Sequence, residues 1–469
     1  MLVQGECRVA RVVVVGAGLT GLGAALFLAR RGHQVDVLEQ DEAASPRDSE
    51  SAFSAWARRG VPHARQSHVF RGLSAKVLSQ EAPDLLAELD ALAFRCMAAP
   101  TVTAPFAYAM AARRLPYEAI FRRAVERQSG VALQRGVRAA GLVAREGGHS
   151  PHVVGVRATD GAELGADLVV DASGRWTEAS GWLGEIGARP WREELHETPI
   201  FYLTRWYRLR GGARLPDVTY PLGVPLPYLL VLAFPGDSGT FSVSVAASMA
   251  DPCRVRLRHP DAFTEFLGAV PAIAPLLDIG EPVTDPQPLA RINNCHRSLM
   301  LDDGPCVTGL VLLGDACDHT NPTLGRGVSL GLAHAQQLAN TVEQAIETPA
   351  AHAAAFDRWT ARHIGGWFRS QVENDAAYLA GVEASLTGEP PKPPSPQVRF
   401  RRAVQALAAD DPEVALAAAR EAHLLAPPGS VEADPGVAAK VRAFMQKTED
   451  AAPPLAGPTR KAFEALMAG

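Results

Sequence analysis

Hydrophobic order along the chain is clearest near its start. Val12 to Val15 form an unbroken β-branched run after Arg11, the pattern of a strand buried on both faces. The run stops at Gly16-Ala17-Gly18-Leu19-Thr20-Gly21, helix formers fill 24–31, and Gly32 closes that helix. His33 to Glu39 supplies a second strand ending in an acid. Strand, glycine turn, helix, strand and acid in this order predict a dinucleotide-binding unit. Gly16 makes the tight turn, Gly18 lets a pyrophosphate approach, and Gly21 lets helix and strand pack closely. Glu39 stands where an acid accepts ribose hydroxyls. Leu19, Thr20 and Gln40 flank these positions and join the expected cofactor contacts.

Beyond Gly187 the pattern turns to alternation. Thr198 to Leu209 reads as one long strand, and Pro227–Phe234 and Gly239–Ser248 flank the turn Pro235-Gly236-Asp237-Ser238 as a hairpin. Tyr202, Trp206, Tyr228 and Phe234 lie on these strands. Packing within the sheet is one role for them; the wall of a substrate pocket is the other. Residues 256–280 and 350–386 read as helices, the second with aromatic residues at helical spacing. A Pro-rich connector follows at 389–396, then an Ala-rich helical stretch, Val398–Leu425, and a looser cap over Pro427–Gly469.

A chain of 469 residues has room for two or three domains. A formal charge of −5 and no long basic run argue against nucleic acid as a partner. The six cysteines lack zinc-like spacing and read as reduced thiols. Cys7 and Cys317 are among them. His63 and His68 have no further ligands nearby in sequence, so no metal is expected. No apolar stretch approaches the roughly twenty residues a membrane span needs. The apolar run Val12–Val15 is too short and too early to read as a signal peptide, and it runs straight into the glycine turn. A cytoplasmic protein is expected.

A second glycine turn decides which dinucleotide is held. A short apolar run ends in Gly314-Asp315, and Pro322-Thr-Leu-Gly325-Arg326-Gly327-Val328 opens a long helical stretch. An Asp at a strand end accepts sugar or ribitol hydroxyls, and a bare helix start offers N–H groups and positive dipole to an anion. A nicotinamide enzyme has no need of this second device, whereas reduced flavin carries negative charge near N1 and C2=O. FAD is therefore the expected cofactor. The fold class follows: α/β, with a discontinuous Rossmann-type FAD-binding domain (1–187 and 286–348). A mixed β-sheet substrate domain (188–285) is inserted in it, and a helical region (349–469) ends the chain.

Three further segments carry a resemblance. Gly60-Val61-Pro62-His63-Ala-Arg65-Gln66-Ser-His68, Arg114-x-x-x-Glu118-x-x-x-Arg122 and Asp171-Ala-Ser-Gly174-Arg175 resemble FAD-dependent monooxygenases of the para-hydroxybenzoate-hydroxylase and geranylgeranyl-reductase superfamily, nearest the polyether-epoxidase-like branch. The resemblance implies that Arg65 and Arg114 lie along the pyrophosphate and ribitol, and that the Val137 backbone meets adenine. Asp315 would hold the ribitol or pyrophosphate end, with Pro322, Gly325 and Gly327 facing the isoalloxazine. His68 and Arg326 are the candidates for a catalytic role at the ring. The sequence departs from the family at His63, where Gln is frequent, at Gln66, where His is frequent, and at Arg326 inside the turn. Ala-Ser between Asp171 and Gly174, in place of an Asp-Gly pair, points to reduction by a separate flavin reductase or by loosely bound NAD(P)H. A halogenase is disfavoured, since the Trp-x-Trp-x-Ile-Pro signature is missing and no lysine lies between Lys76 and Lys392.

A bound flavin exchanges hydride or, once reduced, passes one oxygen atom of O2 to a substrate. The leading expectation is a monooxygenase that epoxidises or hydroxylates an apolar intermediate of specialised metabolism. A same-fold reductase or dehydrogenase of C–C bonds is the alternative, and a non-catalytic FAD-binding accessory protein is a third.

Overall fold

The structure is a computed structural model that describes residues 8–97, 102–146, 149–388, 395–447 and 456–468. Cys7 and positions 389–394 of the Pro-rich connector lie outside the described residues.

The first sheet has five strands in the order Leu310–Leu312, Leu168–Asp171, Arg11–Val15, Gln34–Glu39, Val131–Arg135. All its pairs are parallel. Register sets Val15 beside both Leu38 and Asp171, and Asp171 beside Leu312. The carboxyl ends therefore align into one crevice, the place where open α/β sheets bind ligands. Val12 and Val14 pack on Leu22, Leu26, Leu332 and Leu338 of the helices on one face. Val13 and Val15 pack on Leu142, Val153 and Trp182 on the other. That two-sided cover is why the strand is apolar throughout. Each such side chain contributes roughly 1.5–3 kcal/mol when fully buried.

The second sheet runs in the order Leu222–Leu226, Leu229–Pro235, Thr240–Ser248, Ile200–Leu209, Gly280–Pro282, and Gln287–Leu289 also pairs with the Ile200 strand. Its pairs are antiparallel, and the period of two sorts its side chains. Leu203, Tyr207, Val231, Phe241, Val243 and Val245 pack on Phe263 and Phe266 of helix Pro260–Gly268, and on Phe463 of helix Arg460–Ala468. The opposite face looks at the crevice. The expected hairpin is present, and Asp237 at its turn accepts from the Arg113 backbone and guanidinium.

Three helix expectations need correction. Residues 350–386 fall in two helices, Pro349–His363 and Gly365–Thr387, which meet at Ile364. Residues 256–280 do not form one helix but two short ones, Pro260–Gly268 and Ala274–Ile279, because Pro271 between them cannot donate to a helical ladder. The stretch after Pro427 is not loose but largely helical, with Pro435–Lys447 laying Val437, Ala438 and Val441 against Phe400, Val404 and Val414. The apolar stripe at i, i+1 and i+4 is short and is diluted by the polar residues around it. Among the described residues no helix is long and apolar enough to cross a membrane. Cys96, Cys253, Cys295, Cys306 and Cys317 are all free.

Candidate active site

A cleft of about 750 Å³ begins at the carboxyl ends of the parallel sheet and continues beneath the second sheet. Gly16, Gly18, Leu19, Thr20, Glu39, Gln40 and Val137 line its near end. Gly18 is extended and caps helix Leu19–Arg30 without a side-chain bond, so the helix presents its first N–H groups uncapped. A Cβ on Gly18 would meet nothing within 4 Å, whereas one on Gly21 would lie 2.0 Å from the Gly16 carbonyl oxygen. Gly18 thus faces open cleft, and Gly21 is pressed against the turn it supports. The Glu39 carboxylate accepts from the Ala17 N–H at 3.3 Å and the Asp41 N–H at 2.9 Å.

At the far end stand Asp315, Pro322, Thr323, Leu324, Gly325, Arg326, Gly327 and Val328. Gly325 has φ +60° and so turns the chain into helix Gly327–Glu347, which also starts without a side-chain cap. Gly314 does not line the cleft. A Cβ there would meet Thr20 Oγ1 at 2.7 Å, and one on Gly331 would meet it at 2.2 Å. Gly314 and Gly331 of the second segment therefore pack directly on Thr20 of the first. Two bare helix starts, one for a diphosphate and one for an electronegative ring edge, with Glu39 for a ribose, fit FAD.

Under the near end lies a buried charge group that sequence reasoning missed. Arg58 bonds Glu118 at 2.6 Å, Asp41 at 2.6 Å, Glu39 at 2.9 Å and the Ala17 carbonyl at 3.1 Å. Arg122 reaches Glu39 at 3.3 Å, and Arg114 reaches Glu118 at 3.1 Å. Burial works to raise the Glu118 carboxyl, but Arg58, Arg114 and Arg122 outweigh it and hold the group below the usual range. The network holds the Glu39 carboxylate at the wall of the cleft. Glu39 and the Arg114-x-x-x-Glu118-x-x-x-Arg122 segment stood out in the sequence, but nothing there joined them to Arg58.

Arg65, expected on the pyrophosphate side, is not there. Its guanidinium donates to the Phe53 and Ser54 carbonyls at 3.2 and 3.1 Å, outside the cleft. Arg58 takes the inward position instead, and Arg65 holds the end of helix Ser49–Ser54. Arg114 does line the cleft.

Strand register lays out the substrate side. Across the second sheet, Leu230, Ala246 and Tyr202 make one row, Leu232, Ser244 and Thr204 the next, and Phe234, Ser242 and Trp206 the third. Tyr202, Thr204, Leu230, Leu232, Phe234 and Ser244 line the cleft, joined by Leu289 and Ile292. Trp206 and Tyr228 do not. Trp206 is fully buried past the edge of the cleft, its indole donating to the Arg65 carbonyl at 2.8 Å. Tyr228 precedes the strand, stacks on Phe463 at 4.8 Å and donates to the Pro458 carbonyl at 2.8 Å. Both are core residues.

The Tyr202 hydroxyl is fully engaged. It donates to Asn321 Oδ1 at 2.5 Å and meets Thr323 Oγ1 at 2.7 Å, while Asn321 Nδ2 donates to Thr323 at 2.8 Å. Asn321 and Asn294 both donate to Asp375 of helix Gly365–Thr387, at 2.9 and 2.8 Å. Burial pushes the Asp375 carboxyl up against the pull of its amide donors. This clasp ties the far turn to the sheet and to a C-terminal helix.

His68 lines the cleft with Nδ1 2.9 Å from the Gln66 carbonyl and its ring stacked on His63 at 5.5 Å. Burial, then the Arg114 charge, pushes His68 down to about 3, and the same two causes take His63 well below its ordinary value. Both imidazoles are neutral, so His68 donates through Nδ1–H and keeps Nε2 as its acceptor. Off the cleft, ligand atoms of His296, Cys317 and Asp318 lie within 4.8 Å of one another. His296 Nδ1 already pairs with Asp318 at 2.8 Å, and the thiol donates to the Arg297 carbonyl at 3.4 Å.

Residues 11–181 match the FAD dependent oxidoreductase family model. FAD is the cofactor, and oxidoreduction is the class of chemistry. No curated protein matches the chain significantly. Solved structures share its fold. p-Nitrophenol 4-monooxygenase PnpA from Pseudomonas putida aligns at TM-score 0.63 and 17% identity, over 90% of this chain and 99% of its own. PqsL, a probable FAD-dependent monooxygenase from Pseudomonas aeruginosa, aligns at 0.56 and 18%, over 80% and 96%. OxyS anhydrotetracycline hydroxylase from Streptomyces rimosus aligns at 0.56 and 19%, over 89% and 76%. At these identities the likeness is one of fold.

Proposed function

We propose that this oxidoreductase is an FAD-dependent monooxygenase that places one oxygen atom of O2 on an apolar small molecule of specialised metabolism, by epoxidation or hydroxylation. Continuity of the cleft carries the reading. One uninterrupted space joins the dinucleotide cradle at Gly16–Gly18 to an apolar wall of Leu230, Leu232, Phe234, Leu289 and Ile292. The bound flavin supplies the electrons and the oxygen activation. The protein supplies the setting. The uncapped start of helix Gly327–Glu347 lines the cleft and would favour a flavin ring edge that becomes anionic on reduction. The apolar wall keeps water from the reacting face. Neutral His68 holds an acceptor nitrogen for a proton from a substrate hydroxyl or a water. The names of PnpA and OxyS, a monooxygenase and a hydroxylase, support the same reading.

Electrons enter from a separate flavin reductase or from loosely bound NAD(P)H. Asp171 supports this, because its carboxylate is already engaged with the Ser173 N–H at 2.9 Å, the Ser173 hydroxyl at 2.6 Å and the Thr177 hydroxyl.

The test is mass spectrometry of aromatic, terpenoid and polyketide candidates incubated with the FAD-loaded protein, reductase and NADPH under ¹⁸O2. A product that gains one labelled oxygen is expected. Loss or gain of two hydrogens without label would replace this reading with the dehydrogenase or reductase alternative.

A further inference from the structure

We propose that Arg71 and Arg326 form an anion site at the far end of the cleft, and that the apolar substrate carries a carboxylate. The proposal rests on the monooxygenase reading of the same cleft and names its substrate class. Both arginines line the cleft. Arg71 donates from Nε and one terminal nitrogen to the Leu324 carbonyl at 3.0 and 2.7 Å, which leaves its other terminal nitrogen. Arg326 lies over the Trp367 ring at 4.7 Å, and among the described residues its side chain makes one hydrogen bond, a 3.4 Å contact to the Trp367 carbonyl.

The contrast with the buried arginines is what points to a ligand. Arg58 has three carboxylates, Arg113 has Asp237 and Glu50, and Arg114 has Glu118. Among the described residues neither Arg71 nor Arg326 forms an ion pair. Burial pushes both down to about 10, and for Arg326 the like charge of Arg71 adds to the push. Both side chains are half-buried, and although Glu421 and Asp375 act on Arg326 from a distance, neither carboxylate pairs with it, so two neighbouring cations without a contact partner are costly. A bidentate carboxylate between planar guanidinium groups removes that cost and fixes orientation.

Arg71 is tied through the Leu324 carbonyl to the second turn, which also carries Arg326, and not to the uncapped Gly16–Gly18 turn that a diphosphate would take. Leu232, Phe234 and Val328 line the same cleft, and Gln405 adds an amide. The site therefore suits an amphiphile whose apolar body lies on the sheet and whose carboxylate sits at the arginines. One other anion is close, the reduced flavin edge held by the Gly325–Gly327 turn.

The two sources separate in a binding assay that needs no turnover. FAD-loaded protein is titrated with 2-naphthoate and with 2-naphthamide, and binding is read by calorimetry and by the visible flavin spectrum. Wild type is expected to prefer the acid by at least about tenfold, the scale of one charge-assisted bond. Arg326→Gln should abolish the preference, and Arg326→Lys should retain part of it, with binding expressed per FAD-loaded molecule. Arg71→Gln should lower it as well, with FAD content showing whether the turn has survived. Equal affinity for acid and amide in wild type overturns the proposal. So does an Arg326→Gln variant that keeps the preference while its flavin reduction potential falls, since that places the charge on the ring. Neither outcome depends on whether ¹⁸O is incorporated.

Discussion

Replacing Arg58 by methionine removes the central cation beneath the nucleotide turn and leaves Glu39, Asp41 and Glu118 close together in the interior. Breaking a buried pair from one side costs about 3–5 kcal/mol. Arg114 and Arg122 still face Glu118 and Glu39, which places the expected loss toward the lower end. For a cooperative unit of this size each kcal/mol moves the melting temperature by roughly 1–2 °C, so a fall of roughly 3–8 °C is expected at neutral pH. The pH dependence is the sharper test. In wild type the depressed Glu118 carboxyl contributes stability above its unfolded value of about 4.3, and that contribution is lost as pH falls. In Arg58→Met its largest charge partner is gone, and burial drives the group above the unfolded value. It then costs stability at neutral pH, and the cost fades as acid protonates it. The gap between wild type and variant should be widest near about pH 7 and should narrow toward about pH 4.5. Paired thermal melts across this range measure it. A gap that stays constant or widens on acidification would refute the idea that Arg58 acts by neutralising these carboxylates.

Other outcomes follow from the same geometry. Gly21→Ala sets a Cβ 2.0 Å from the Gly16 oxygen, so a loss of about 1–3 kcal/mol or more is expected, with weaker FAD retention on gel filtration. Tyr202→Phe removes one corner of the hydroxyl–amide ring and should cost about 1 kcal/mol. It should also speed flavin release, whereas Tyr228→Phe, in the core, should leave release unchanged; stopped-flow flavin fluorescence compares them. His68 is held near 3 while the unfolded chain takes up its proton near about 6.5. Stability therefore falls as pH drops from about 6.5 toward 3, and His68→Asn should flatten that part of the profile in denaturant titrations.

Much of the cofactor half was legible because it is built from contiguous signals. A β-branched strand, spaced glycines and a terminal acid occur within one short stretch, and each has a single local cause. The hairpin at Pro235–Ser238 was legible for the same reason. Arg58 was not, because its partners Glu39, Asp41 and Glu118 come from separate segments and meet only in the fold. Arg65 was misplaced because a seven-residue offset decides which arginine turns inward, and no periodicity marks it. Trp206 shares a sheet face with Tyr202 and Thr204, yet it overshoots the end of the cleft. Alternation reports the face of a strand and not where along it the opening stops. Arg71 carried no signal until the Leu324 carbonyl was placed beside it.

The Asp375 clasp has a practical consequence for anyone trimming the chain. One carboxylate far beyond the last glycine turn steadies Asn294 and Asn321 together, and through Asn321 it steadies the Pro322–Gly327 turn beside the cleft. A shortened version ending near residue 348 would keep every glycine of both turns and still surrender this brace. Such a minimal module should bind the nucleotide half of FAD while letting its coloured half swing free.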